Sequence, residues 1–311
     1  MRVIFMGTPE FAVAALSSIA EAGHEIVAVY TQPDKPKGRS GKLQPPPVKE
    51  KALELGIPVE QPEKLRGEEN AERIRSLEPE IIVVAAYGQI LPVSILEIPP
   101  YGCINIHASL LPKYRGAAPI ERCILDGEEE TGVTTMYMAK GLDTGDMIDQ
   151  AVTKILPSDT GESLTNRLAE MGGTLILQTM EKLKQGTAVR TPQKEEESTY
   201  AKMLDKAMGR MDFTKPAAEL ERAVRALYPW PCAYTTIGGH SVKILGAEVT
   251  DQTGTPGTIL EVTKKYFTIA CGTGALRIRK LQPEGKKPMD TPAYLNGNKP
   301  DAGMPVGESA E

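Results

Sequence analysis

Two hydrophobic periods alternate along the first part of the chain. Val3–Met6 is a short apolar run of the kind a buried strand requires, and Phe11, Ala15, Leu16 and Ile19 then recur at helical spacing over 9–22. Thr8-Pro9 reads as an N-cap followed by proline at the first helical position, and Gly23 ends the helix. A second strand is expected at 25–31, with helices at 48–55 and 71–77. Residues 81–86 are continuously apolar, the signature of a strand buried on both faces of a parallel sheet. Further strands are expected at 103–107, 132–138 and 147–155, and Thr160 caps a long helix over 162–184. This alternation predicts an α/β domain over residues 1–188, with a doubly wound, mostly parallel, Rossmann-like sheet.

The pattern changes after Gly186. Residues 189–206 combine a charge run with no periodicity and read as a linker. One helix (216–226) and five short strands (233–237, 242–249, 257–262, 266–270 and 275–281) follow, separated by glycine-rich or polar turns. They predict a small OB-like β-barrel over 207–311, a shape often used to bind nucleic acid.

Composition narrows the function. No run approaches the ~20 apolar residues a membrane span needs, so no membrane association is expected. Met1–Gly7 stays apolar too briefly for a signal peptide. The four cysteines (Cys103, Cys123, Cys232 and Cys271) show neither a CxxC pair nor a disulfide framework, which suggests a reducing cytoplasm and no metal. Gly7 stands alone where a dinucleotide site wants GxGxxG, which argues against a nicotinamide cofactor. Net charge is −5, yet from Lys206 to Lys287 there are 13 Lys and Arg against 7 Asp and Glu. That local excess is either a chance fluctuation or a surface for a polyanion. Residues 32–47 hold five prolines and the cations Lys35, Lys37, Arg39 and Lys42. Such a loop is either solvated surface or a closure over a phosphate backbone.

Candidate chemistry converges on one strand. Asn105 and His107 are two apart on 103–107 and so project from the same face. Of the three histidines, His24 follows a helix-ending glycine and His240 sits in a turn, leaving His107 as the candidate. A structural histidine is the alternative. Asp143, in the glycine-flanked loop 140–146, is either a turn aspartate or the partner that fixes the His107 ring. A triad through Ser109 is conceivable but lacks the GxSxG elbow.

The stretch NIHASLLPKYRGAAPI (105–120) followed by GLDTGDM (141–147) resembles the formyltetrahydrofolate-dependent formyltransferases. The resemblance extends over nearly the whole chain, through FMGTPEFA (5–12), TQPDKPKGR (31–39), VVAAYGQILP (83–92), ETGVTTMYM (130–138) and ALYPWPCAY (226–234). It implies transfer of the formyl group of 10-formyltetrahydrofolate to the amino group of initiator methionyl-tRNA. Asn105, His107 and Asp143 would form the catalytic trio, and Ser109, Leu110, Leu111 and Pro112 the folate-contacting stretch. Lys35, Lys37, Arg39 and Lys42 would reach the acceptor stem of the tRNA, with Arg39 foremost. A monomer is expected. The competing acceptor is a small amine such as an amino-sugar nucleotide, and the basic loop and the YPWP stretch argue against it.

Overall fold

The structure, a computed structural model, describes residues 1–36 and 41–307 and divides into two compact units. The first is built on strands β1 (Arg2–Gly7), β2 (Glu25–Tyr30), β3 (Val59–Glu60), β4 (Ile81–Ala85), β5 (Cys103–His107), β6 (Glu130–Tyr137) and β7 (Met147–Lys154). They form one sheet in the order β7-β6-β5-β4-β1-β2-β3. The pairs from β5 to β3 are parallel, while β6 runs antiparallel to both β5 and β7. Every residue of β4 is buried, as its unbroken apolar run requires. One apolar cluster joins Ile4 and Met6 of β1, Ala28 and Tyr30 of β2, and Ile82 and Val84 of β4 to Ile74 and Ile95. The first helix runs Phe11–Glu21 and buries Ala12, Ala15, Leu16 and Ile19.

Thr8 departs from its expected role. It does not cap this helix; its hydroxyl donates to Tyr87 O at 2.9 Å and accepts from Gln32 N at 3.2 Å. The helix starts later than the sequence suggests, which frees Thr8 to tie together the segments that leave β1, β2 and β4. Thr160 does cap: Ser163 N donates to its hydroxyl at 3.1 Å, and the Ser163 hydroxyl accepts from Thr160 N at 2.9 Å.

The second unit contains strands β8 (Ala233–Ile237), β9 (His240–Thr250), β10 (Ile259–Val262), β11 (Phe267–Ala270) and β12 (Ala275–Pro283), antiparallel in the order β8-β9-β12-β11-β10. Residues 303–307 join the two edges. Ile259 N donates to Met304 O and Val306 N to Gly257 O on one side, while Gly307 N donates to Thr236 O on the other. The sheet is thereby closed into a barrel, which removes its free edges. Inside lie Phe213, Ile244, Ile259, Phe267, Ile269, Leu276 and Ile278, covered by Leu220 and Val224 of the helix Ala217–Ala226.

Residues 189–206 are not a bare tether. Thr191 exchanges two backbone hydrogen bonds with Met147, and Tyr200–Ala201 pairs in parallel with Arg115–Gly116. A charged, aperiodic stretch looks like linker because its bonds run through backbone and isolated side chains, which leave no hydrophobic period. Residues 120–129 and 155–164 belong to the second compact unit although they precede it in the chain. There Arg222 donates to Leu125 O at 3.1 Å and Arg225 to Asp159 O at 2.9 Å.

Candidate active site

The strand β5 places Asn105 opposite Met136 and His107 opposite Thr134 of β6, with both polar side chains buried. Asp143 comes from the loop between β6 and β7. Its Oδ1 accepts from Asn105 Nδ2 at 3.4 Å, and its Oδ2 accepts from Gly116 N at 2.8 Å and lies 3.7 Å from His107 Nδ1. The three expected residues are therefore brought together.

The ring of His107 is fixed by a group that the sequence did not indicate. Its Nε2 lies 2.8 Å from Tyr114 O, and since a carbonyl only accepts, Nε2 carries the proton. Nδ1 is left facing the Asp143 carboxylate. At 3.7 Å that pair is an electrostatic contact rather than a hydrogen bond. Tyr114 itself has φ +60°, a left-handed conformation, and its N–H donates to Thr199 Oγ1 at 2.8 Å.

Asp143 also lies in the left-handed region, at φ +53°. Gln193 holds this turn: its Nε2 is 2.8 Å from both Asp143 O and Gly145 O. Arg115, 1% exposed, donates through Nε to Gln193 Oε1 at 3.0 Å and through Nη1 to Glu195 at 2.7 Å. Burial lowers the pKa of the Arg115 guanidinium, and its hydrogen bonds to Glu195 and Tyr200 outweigh that, leaving it above its ordinary value. The same bond holds the Glu195 carboxyl below the usual carboxylate range. The sign is that of a depressed acid: the stabilisation is complete above the Glu195 unfolded pKa and is lost as pH falls through the lower folded value. Below pH 4.5, its ordinary value, the melting temperature of Glu195→Gln should accordingly decline less than that of the parent; an equal decline would remove Glu195 from the acid transition.

Gln193, Thr199, Tyr114 O and Gly116 N were invisible to a reading by motif and period. Gln193 sits in a polar run, and the others act through backbone or a single hydroxyl. Ser109 is buried, but its hydroxyl donates to Lys113 O at 2.6 Å, and its carbonyl accepts from Thr134 at 2.7 Å. Its proton points away from His107, so no Ser109 triad forms. Leu111 N bonds Thr134 Oγ1, and Leu111 O bonds Gln150. With these polar atoms engaged, 109–112 offers an apolar wall rather than polar readers. Burial pushes the Cys103 thiol up to about 12, so it is not a thiolate at neutral pH. A cleft of about 480 Å³ lies beside Cys103, lined also by Leu96, Tyr137, Met138 and Arg190. No group of three or more His, Cys, Asp or Glu side chains among the described residues could hold a metal ion.

In the basic loop, Lys35–Pro36 pairs antiparallel with Leu43–Gln44, so the loop is a hairpin at its base, with Lys35 and Lys42 exposed. Lys37 and Arg39 lie outside the described residues. Lys49 Nζ bonds both oxygens of Asp34 (2.8 and 2.9 Å) and Gln61 Oε1 (2.7 Å), anchoring that base. Hydrogen bonds from Lys49 and Gln61 lower the Asp34 pKa.

Residues 1–180 match the sequence profile of the formyl transferases, and residues 203–299 that of the formyl transferase C-terminal domain. The chain belongs to the formyl transferase family. It is similar to a methionyl-tRNA formyltransferase from Lachnospira eligens, at 51% identity over 99% of this chain and 100% of that protein. One from Trichlorobacter lovleyi is 50% identical over 96% and 94% of the two chains. Among solved structures, an N-formyltransferase from Helicobacter canadensis in complex with folinic acid and dTDP-3-aminofucose has a TM-score of 0.68 at 22% identity, covering 89% of this chain and 99% of that one. HypX from Aquifex aeolicus in complex with tetrahydrofolic acid gives 0.63 at 18% identity, covering 95% of this chain and 47% of that one. At these identities the two structures speak for the fold alone.

Proposed function

We infer that this chain transfers the formyl group of 10-formyltetrahydrofolate to the amino group of initiator methionyl-tRNA, working in the cytoplasm. The observation that carries the reading is full-length identity of about half to methionyl-tRNA formyltransferases, combined with the assembled Asn105, His107 and Asp143.

The donor supplies an electrophilic formyl carbon, and the amine supplies the nucleophile. Asn105 Nδ2 has two N–H groups and spends one on Asp143, so the other is available to the formyl oxygen as negative charge develops there. His107, when protonated on Nδ1, places a positive charge beside the same face while its two N–H groups point to Tyr114 O and the Asp143 carboxylate. Asp143 is the acceptor for the proton that the amine must lose, and through a water it can return that proton to N10 as the carbon–nitrogen bond breaks. The side chains needed are within hydrogen-bonding or ion-pair reach of one another, and no covalent enzyme intermediate is required. Ser109–Pro112 gives the folate an apolar wall. Ile90 and Leu142, both largely exposed, add apolar surface on the loops that leave β4 and carry Asp143.

The basic loop is the proposed contact with the acceptor stem through Lys35, Lys37, Arg39 and Lys42. Arg39→Ala should lower kcat/KM for the charged tRNA and flatten the plot of log affinity against log salt by about one unit, as expected for one lost phosphate contact. An unchanged slope and kcat/KM would remove Arg39 from the interface.

The test of the whole reading is transfer of radiolabelled formyl from 10-formyltetrahydrofolate to initiator methionyl-tRNA, glycinamide ribonucleotide and a 4-amino-sugar nucleotide in parallel. Product on the tRNA alone supports it. Transfer only to a small amine would overturn the acceptor while leaving the trio in place.

A further inference from the structure

The catalytic trio does not hold its own geometry. Asp143 sits at φ +53° on a loop flanked by Gly141 and Gly145, a left-handed conformation that aspartate adopts more readily than most residues and that leaves the direction of its carboxylate to whatever holds the loop. The base of the loop is closed by Tyr137 N donating to Asp146 O at 2.9 Å, and two carbonyls at its tip are bonded by one side chain. Gln193 Nε2 donates to Asp143 O and to Gly145 O, both at 2.8 Å, and Gln193 Oε1 accepts from Arg115 Nε at 3.0 Å. A carboxamide has two N–H groups and one oxygen, and all three are occupied. Arg115 is itself immobilised: it is buried, bonded to Glu195, and belongs to the backbone ladder that pairs Arg115–Gly116 with Tyr200–Ala201. Gly116 N from that ladder then donates to Asp143 Oδ2 at 2.8 Å. The aspartate is thus gripped at its main chain by Gln193 and at its carboxylate by Gly116.

We propose that Gln193 is a positioning residue for formyl transfer, holding the Asp143 turn so that its carboxylate meets Asn105 and His107. The proposal rests on the function inferred above. Chemistry makes the residue hard to replace. Glutamate would still accept from Arg115 but would turn a carboxylate oxygen toward two carbonyl oxygens. Methionine has nearly the same shape and no donor at all. Asparagine is one methylene too short to reach from a fixed Arg115.

The experiment compares Gln193→Glu and Gln193→Met in the full-length protein, with melting temperature checked for each. Single-turnover formyl transfer to initiator methionyl-tRNA should fall on the order of 10–100-fold in both, the range for a supporting partner of a reacting group. The dissociation constants for folate and tRNA should change by less than about twofold, since no contact to either substrate is removed. The ring ¹⁵N resonances of His107 should shift, because the neighbouring carboxylate moves. In an Asp143→Asn background the Gln193 substitutions should cause little further loss, because their effect passes through that carboxylate. Retention of the rate within threefold by either folded variant would overturn the proposal, as would full additivity with Asp143→Asn. If Asp143→Asn alone transferred formyl at the parent rate, the reading of the trio would fall as well. If Asp143→Asn is impaired while the Gln193 variants are not, only the positioning role falls.

Discussion

Asn105→Ala should reduce single-turnover formyl transfer on the order of 10²–10³-fold, the usual cost of losing one donor to a developing oxyanion. On the proposed mechanism the substitution removes the amide N–H offered to the formyl oxygen, and it also removes the 3.4 Å contact to Asp143 Oδ1. Asn105 is buried on a central strand, so the truncation leaves a small cavity and some loss of stability, but nothing charged is stranded. Affinity for folate and for methionyl-tRNA should change little, since the donor acts on charge that is absent from the ground state. The measurement is a rapid-quench assay at saturating substrates. A fall below tenfold would exclude the oxyanion role and leave Asn105 as a strut for Asp143. Asn105→Asp sharpens the test: it keeps the shape while setting a carboxylate beside the Asp143 carboxylate, so it should be no better than alanine.

Gly116→Ala should damage rate and stability together. Gly116 has φ +111°, which side-chain-bearing residues rarely adopt, and a Cβ there would sit 2.8 Å from Ala201 O, a backbone atom held in the ladder. Strain of this kind costs about 1–3 kcal/mol, which corresponds to a fall in melting temperature of roughly 2–5 °C for a protein of this size. Relief requires the 115–116 segment to shift, and Gly116 N would then lose its 2.8 Å bond to Asp143. Transfer should fall on the order of 10²-fold as the carboxylate loses its place. A variant that kept the parent rate would show that the Asp143 carboxylate does not depend on this N–H. One that kept the parent melting temperature would show that the ladder yields without cost.

Much of this protein is legible in its sequence. Six of the seven strands of the first sheet and its long helices announce themselves by period, because β4 has one chemistry on both faces and the helix Phe11–Glu21 has two; the edge strand β3, two residues long, is too short to leave a period. Asn105 and His107 share a face by the pleat of a strand alone, whatever the rest of the chain does. The barrel strands were legible because they are short, alternating and punctuated by glycine.

Tertiary structure decided what covalent spacing cannot. It put Asp143, 38 residues beyond Asn105, against that strand. It turned Ser109 toward Lys113 O and away from His107, sent Thr8 to Tyr87 rather than to a helix end, and closed the barrel with residues 303–307. It converted the stretch that looked like linker into the clamp of Gln193 and Thr199. The physical reason is common to all of these. Periodic burial is an average over many residues and leaves a trace in the sequence. A hydrogen bond between one carbonyl and one amide depends on where two distant backbones meet, and no local pattern encodes that.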